Sequence, residues 1–247
     1  MNTPALATSL WTLLSWGDAG YADELIYGAL NTLLISICAY ALGLALGLGG
    51  ALARLSRAPV LKFAGWLYAV LFRAVPELVL ILLLFYAGGD LFNDVLKLCG
   101  FEARPFNGAI AAIIVLGLVQ GAYACEILRG AIEAVPRGYR EAGLSLGMSP
   151  WQCFRLIILP SMLPLALPGL ANLWLSLTKA TALISVLGYS ELTLATQQAA
   201  GASKHYFLFY FAALAIYLWI SVWSGRLFKR LEDHLRRGQS LPELVAR

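Results

Sequence analysis

The chain has 247 residues, of which 60% are apolar and only 13% charged, with a formal net charge of +4. A soluble domain of this size carries about a quarter charged residues, and the Asp, Glu and Lys present are too few to clothe one. Nor is the positive charge a nucleic-acid footprint, because the basic residues gather at the ends of apolar runs of about 20 residues, the length of a membrane helix.

The opening stretch, MNTPALATSLWTLLSWGDAG, lacks the basic start of a cleavable signal peptide. Its short apolar piece with Trp11 and Trp16 reads as an interfacial helix, within an external N-terminal segment over 1–24. The first span follows over Leu25–Ala53, which holds no charge. Gly43 and Gly47, continued by Gly50 and Ala51, form a small-residue face that would admit a second helix closely; ordinary tolerance of Gly in membrane helices explains them equally well.

The second span is expected to be split. Phe63–Phe72 is apolar, Arg73-Ala-Val-Pro76-Glu77 interrupts, and Leu78–Gly88 resumes. Pro76 predicts a kink, with Pro76 and Glu77 opening the second piece. Backbone groups freed in a membrane must face protein or a wet cavity, so this break should line a pathway or a subunit contact. Asp90–Pro105 reads as a polar loop. The third span runs from Asn107 to about Leu128 and carries Gln120, Tyr123 and Glu126 toward its end.

A polar, basic connector over 134–149 then predicts a short helix over 138–149, with Gly147 near its end. Ser149-Pro150-Trp151-Gln152 is a capping box with Pro at the first helical position. It starts a fourth span to about Leu177, punctuated by Pro160, Pro164 and Pro168. Residues 178–200 are too polar for a simple span and read as a broken or re-entrant segment. Tyr206–Leu227 is the last span, and the membrane region closes near residue 230, ahead of a charged tail over 231–247.

Five spans follow, and basic residues orient them. Arg54, Arg57 and Lys62 fall in one loop, Arg129, Arg137, Arg140 and Arg155 in the third, and Arg226, Lys229, Arg230, Arg236, Arg237 and Arg247 at the end. The opposite side holds only Lys97, Arg104, Lys179 and Lys204. The positive-inside rule then puts the N-terminus outside, the C-terminus in the cytoplasm and the 134–149 connector on the cytoplasmic side.

Several residues carry two readings each. Arg73 and Glu77, four apart across the kink, suit a structural ion pair; alternatively Glu77 attracts a cationic substrate, since ionisable groups within a membrane are functional candidates. Gln120, Tyr123 and Glu126 lie on neighbouring turns and could line a path, while Glu126 could instead pair with Arg129. Lys179, Thr181, Ser185 and Glu191 sit in the broken segment, where helix ends suit charged ligand groups and subunit packing alike. Cys38, Cys99, Cys125 and Cys153 lack metal-ligand spacing and read as apolar fillers. Gly143-Leu-Ser145-Leu-Gly147 imitates a nucleophile elbow, but that motif needs a strand before it, and no catalytic site is expected.

Residues 141–160, EAGLSLGMSPWQCFRLIILP, place Glu141, Ala142, Gly143, Gly147, Ile158 and Pro160 at the spacing of the EAA motif. The segment resembles the ATPase-docking element of bacterial ABC importer permeases, with Gly143 standing where that family usually has a second Ala. The stretches FRAVPELVLILLLFY (72–86), GAYACEILRGAIEAVPRGYREA (121–142) and LTKATALISVLGYSEL (177–192) are similar to the polar amino acid uptake permeases, of the histidine/lysine/arginine/ornithine and opine type.

The resemblance implies an all-α polytopic protein with the type I ABC importer permease fold in the bacterial inner membrane, moving amino acids inward. Its coupling helix would engage an ATPase through Arg140, Glu141, Ala142, Gly143, Leu146 and Gly147. The implied partners are a second homologous permease (a heterodimer, with a homodimer as the alternative), two ATP-binding subunits, a periplasmic solute-binding protein, the amino acid and membrane lipid. ATP and Mg would sit on the partners, because the chain has no GxxxxGK[ST] sequence and is expected to bind no cofactor itself. An ion-coupled secondary transporter is the alternative; it would show inverted repeats, and none is visible.

Overall fold

In hydrocarbon an uncharged backbone must satisfy its own polar groups, and a helix does so within one segment. The computed structural model describes residues 10–17, 20–102 and 108–236; no strand occurs among them. The helices are α1 (Leu10–Leu13), α2 (Ala22–Leu55), α3 (Pro59–Ala74), α4 (Glu77–Leu98), α5 (Gly108–Ala134), α6 (Arg137–Ser145), α7 (Pro150–Cys153), α8 (Leu159–Ala180), α9 (Leu192–Ser203) and α10 (Tyr206–Arg236). A π-turn at Phe154–Ile158 joins α7 to α8, and a 3-10 stretch at Thr181–Leu187 follows α8. Among the described residues, five segments are long and apolar enough to cross a membrane: α2, α4, α5, the run Pro150–Leu187 and α10. Residues 1–9, 18 and 19 of the first predicted segment and the end of the charged tail (237–247) lie outside the described residues, as does Arg104.

Two expectations need correction. The second span is broken outright rather than kinked. Helix α3 stops at Ala74, Val75 is extended at φ −101, ψ 140, and α4 starts at Glu77. The proline ring disfavours a helical conformation at the residue before it, and Val75 takes the extended one. With 16 residues α3 reaches only about 24 Å, so α4 alone is long enough to span. Helix α4 also runs to Leu98, through most of the expected polar loop. Leu91, Phe92, Val95 and Leu98 continue a helical spacing beyond Gly88 and Gly89, and Lys97 pairs with Asp94 at 3.3 Å one turn away.

The chain divides into two interleaved units. The first takes residues up to Ala39, Leu78–Leu116 and Leu177–Ile220. Its core joins Leu13 and Leu25 to Leu192, Ala199, Phe209 and Ala213, with Tyr21 edge-on to Phe209 at 5.4 Å. The predicted break in this unit is sharp. Gly188 adopts φ +74, and Glu191 then caps α9 by accepting the Leu194 N–H at 2.9 Å. Helix α2 holds the break tightly: a Cβ on Gly28 would lie 2.9 Å from Leu192 Cα, and Asn31 donates to the Ser190 carbonyl at 2.9 Å.

The second unit takes Tyr40–Glu77, Gly117–Ser176 and the chain from Ser221 onward. Here the small-residue face does bring helices together. A Cβ on Gly43 would sit 3.3 Å from the Gly117 carbonyl oxygen of α5, and one on Gly47 would meet Ala124 Cβ at 2.5 Å. Such contact is the packing force left to helices once lipid removes the hydrophobic difference. The capping box forms as expected: Ser149 Oγ accepts from Gln152 N–H, and the Gln152 side chain accepts from Ser149 N–H. The π-turn ends two residues before Pro160, whose ring lacks the N–H for an i−4 bond and crowds that carbonyl; widening the turn accommodates both defects.

Candidate functional site

The second unit contains a cavity of about 470 Å³ lined by Arg73, Glu77, Gln120, Tyr123, Glu126, Ile127, Gly169, Asn172, Leu173 and Ser176. Five of the predicted path residues thus meet in one place. Arg73 and Glu77 come from the two sides of the α3–α4 break. Gln120, Tyr123 and Glu126 come from α5, where spacings of three keep them on one face. Asn172 and Ser176 went unremarked in the sequence. They are four apart on α8, so their polar groups share a face, and this spacing was the available signal.

The charges do not pair as expected. Arg73 and Glu77 form no ion pair. Arg73 instead donates to Glu126 Oε1 at 2.7 Å and to the Ala69 carbonyl, which draws it back along its own helix. Glu126 also receives Arg54, from the last turn of α2, and Arg129 at 3.1 Å. Arg129 reaches on to Glu133. The expected Glu126–Arg129 pair is therefore one edge of a larger cluster, in which three guanidinium groups surround one carboxylate. Arg54 was read only as an orienting charge, because its partner is 72 positions away.

Glu77 stands apart from that cluster. It accepts from Gln120 Nε2 at 2.9 Å and pairs with no basic side chain among the described residues. The Gln120 amide oxygen is buried and meets no donor there either. The cavity therefore offers one carboxylate, Glu77, that no basic side chain among the described residues has taken.

Glu191, Lys179 and Ser185 do not line this cavity. Glu191 is completely buried in the first unit. Its Oε2 accepts from Thr32 Oγ1 at 3.3 Å and Tyr217 OH at 3.2 Å, while Thr32 Oγ1 accepts the Leu192 N–H at 3.2 Å. Here a carboxylate satisfied by neutral donors of its own chain locks the chain break onto α2 and α10. Ser185 donates to its own helix at Ala182, as Thr181 does to Thr178, and Lys179 is exposed.

The connector helix α6 forms over 137–145, four residues short of the expected end. Leu146 closes it, and Gly147 takes φ +78, the left-handed stop that glycine favours. Arg140, Glu141, Ala142, Leu146 and Gly147 are all exposed, and Leu146 keeps 78% of its surface. Gly143 alone is buried; a Cβ there would lie 2.7 Å from Ile157 Cδ1 and 3.0 Å from Cys153 Sγ. Glycine at this position thus lets α6 settle on the start of the fourth span. Beside α6 lies a groove of about 660 Å³, walled by Leu52, Leu55, Ile132, Val135, Trp151 and Phe154 and edged by Arg137 and Arg140.

Residues 42–237 match the family described as the binding-protein-dependent transport system inner membrane component. The nopaline transport system permease protein NocQ of Agrobacterium fabrum is 40% identical over 231 residues, covering 92% of this chain and 97% of that protein. The histidine/lysine/arginine/ornithine transport system permease protein HisQ of Salmonella typhimurium is 39% identical over 227 residues, covering 91% and 99%. Among solved structures, a chain of an amino acid ABC transporter with histidines superposes with a TM-score of 0.72 at 29% identity, covering 87% of this chain and 95% of that one. A chain of the inward-facing MetNI methionine ABC transporter does so at 0.70 with 19% identity, covering 86% and 96%, and bears on the fold alone.

Proposed function

Because the chain belongs to the family of binding-protein-dependent transport system inner membrane components, we propose that it is the permease subunit of an ABC importer for amino acids or opines in the bacterial inner membrane. The observation that carries this reading is α6. It is a nine-residue helix with almost every side chain exposed, yet fixed at one point where Gly143 meets Cys153 and Ile157. A turn between two spans needs only a few residues. A capped polar helix with Leu146 and Tyr139 facing outward suits a partner instead.

On this reading α6 lies in the cytoplasm, with the N-terminus outside and the C-terminus inside, and docks on one of two ATP-binding subunits. ATP and Mg are held there, and this chain performs no catalysis. Closure of the ATPases pushes α6, and with it α5 and the fourth span, which supply two walls of the cavity. A second, homologous permease and a periplasmic solute-binding protein complete the assembly. The cargo is a basic amino acid or an opine. Glu77 suits its cationic group, since it is the cavity carboxylate left without a guanidinium.

The test is Glu141→Lys. Its side chain is exposed and makes no ion pair among the described residues, so the protein should reach the membrane at the wild-type level. Uptake of labelled amino acid by cells should be lost, along with co-purification of the ATPase. Wild-type uptake in this variant would remove α6 from the mechanism.

A further inference from the structure

A further pocket of about 640 Å³ opens at the corner where α2 turns into α3, next to the groove beside α6. Its walls include Arg54, Lys62, Phe63, Trp66, Arg129 and Glu133. We propose that this pocket binds the headgroup of an anionic phospholipid, held from the membrane that surrounds the protein.

Charge comes first. Arg54, Arg73 and Arg129 share only Glu126 and Glu133. One positive charge is therefore left over in that cluster before Lys62 is counted. Lys62 is exposed and pairs with no carboxylate among the described residues. Arg57, exposed in the same corner, pairs with none either. Helix α3, 16 residues long, opens on Ala58 without a side-chain cap, so its positive end adds to the field. Several cations converge on a pocket whose only lining carboxylate is already held by Arg129.

Surroundings decide for a lipid over a soluble anion. Helix α3 buries only its small Gly65 and Ala69, while Val60, Leu61, Phe63, Trp66, Leu67 and Leu71 face outward. Phe63 and Trp66 lie against each other with centroids 5.8 Å apart, 60% and 46% exposed. Aromatic side chains of this kind settle at the level of lipid headgroups. The pocket also begins at Arg54, the first basic residue after the uncharged run of α2, where a span leaves hydrocarbon. A basic pocket with an aromatic, outward apolar rim at that depth matches a phosphodiester with its glycerol and acyl chains below.

The experiment is native mass spectrometry of the full chain, purified from membranes with the subunits that accompany it, after exposure to phosphatidylglycerol or phosphatidylcholine. The wild type should retain phosphatidylglycerol in preference to phosphatidylcholine. Removing one such cation is worth about fivefold in lipid occupancy, so Lys62→Gln should lower phosphatidylglycerol retention about that much. Trp66→Ala should lower retention of the lipid without changing its salt dependence. Equal retention of both lipids by the wild type would overturn the assignment, whatever the variants do. So would unchanged retention in Lys62→Gln, or displacement of the lipid by millimolar inorganic phosphate, which would mark a site for the free ion.

Discussion

Glu191 and Glu77 are both acidic residues at a break between helices, and the structure treats them in opposite ways. Glu191 meets Leu194 N–H, Thr32 and Tyr217, and both its oxygens are occupied. No cation is involved, and the residue is fully buried. Glu77 also opens a helix, but its one hydrogen-bond partner among the described residues is the Gln120 amide, and it borders an open cavity. The first arrangement closes a joint; the second leaves acceptor capacity for something that arrives. Glu126 lies between the two cases, since three arginines saturate it at the cavity edge. A polar residue at a membrane break is thus assigned by how completely its neighbours satisfy it, and its position alone is insufficient.

Substitution at each carboxylate tests this contrast. The largest effect belongs to Glu191→Ala. It removes three acceptor contacts, one of them the α9 cap, and leaves Tyr217 OH with Thr193 as its remaining partner. Loss of a cap costs about 1 kcal/mol and each hydrogen bond to a charged group about 1.5–3 kcal/mol. The protein should therefore fail to accumulate in the membrane, as read by immunoblot of membrane fractions. Normal accumulation would show that the joint holds without its carboxylate. Glu126→Gln comes next. It keeps the shape but leaves three guanidinium groups without their common counter-charge, at a cost of about 2–3 kcal/mol. A lower melting temperature of the purified protein, partly restored by adding Arg73→Gln, is expected. Melting unchanged from wild type would mean that the arginines repair to solvent.

Much of this was legible before any coordinates, for physical reasons. Span positions follow from charge-free length, the joint at Ser149 from the capping box, and the α9 break from its mixture of Lys179, Gly188 and Glu191. What misled was local punctuation. Gly88-Gly89-Asp90 resembles a loop, yet the apolar spacing beyond it sustains α4 to Leu98. Pro76 alone predicts a kink, which needs no knowledge of neighbours; the full break depends on Val75 being extended. Partner choice was the least legible part. Arg73 and Glu77 stand at ion-pair spacing within one helix, but the helix ends between them, so the rule for neighbours on a helix no longer applies. Arg73 then finds Glu126, which is 53 positions away, and sequence spacing carries no trace of that distance.

The smallest effect on stability, and the one that most sharpens the contrast, is expected at Glu77. In Glu77→Gln the side chain keeps its size and can still accept from Gln120, so the melting temperature should stay near the wild-type value. Function should change instead. A charged hydrogen bond to a cationic substrate is worth about 1.5–3 kcal/mol, or roughly tenfold to a hundredfold in uptake. Initial uptake rates of a basic and a neutral amino acid, measured side by side, should diverge by about that factor. The neutral substrate is the control, because a fault in the α3–α4 break would slow both alike. If both fell equally and the melting temperature fell with them, Glu77 would join Glu191 as a structural joint, and the cavity would lose its claim on cationic cargo.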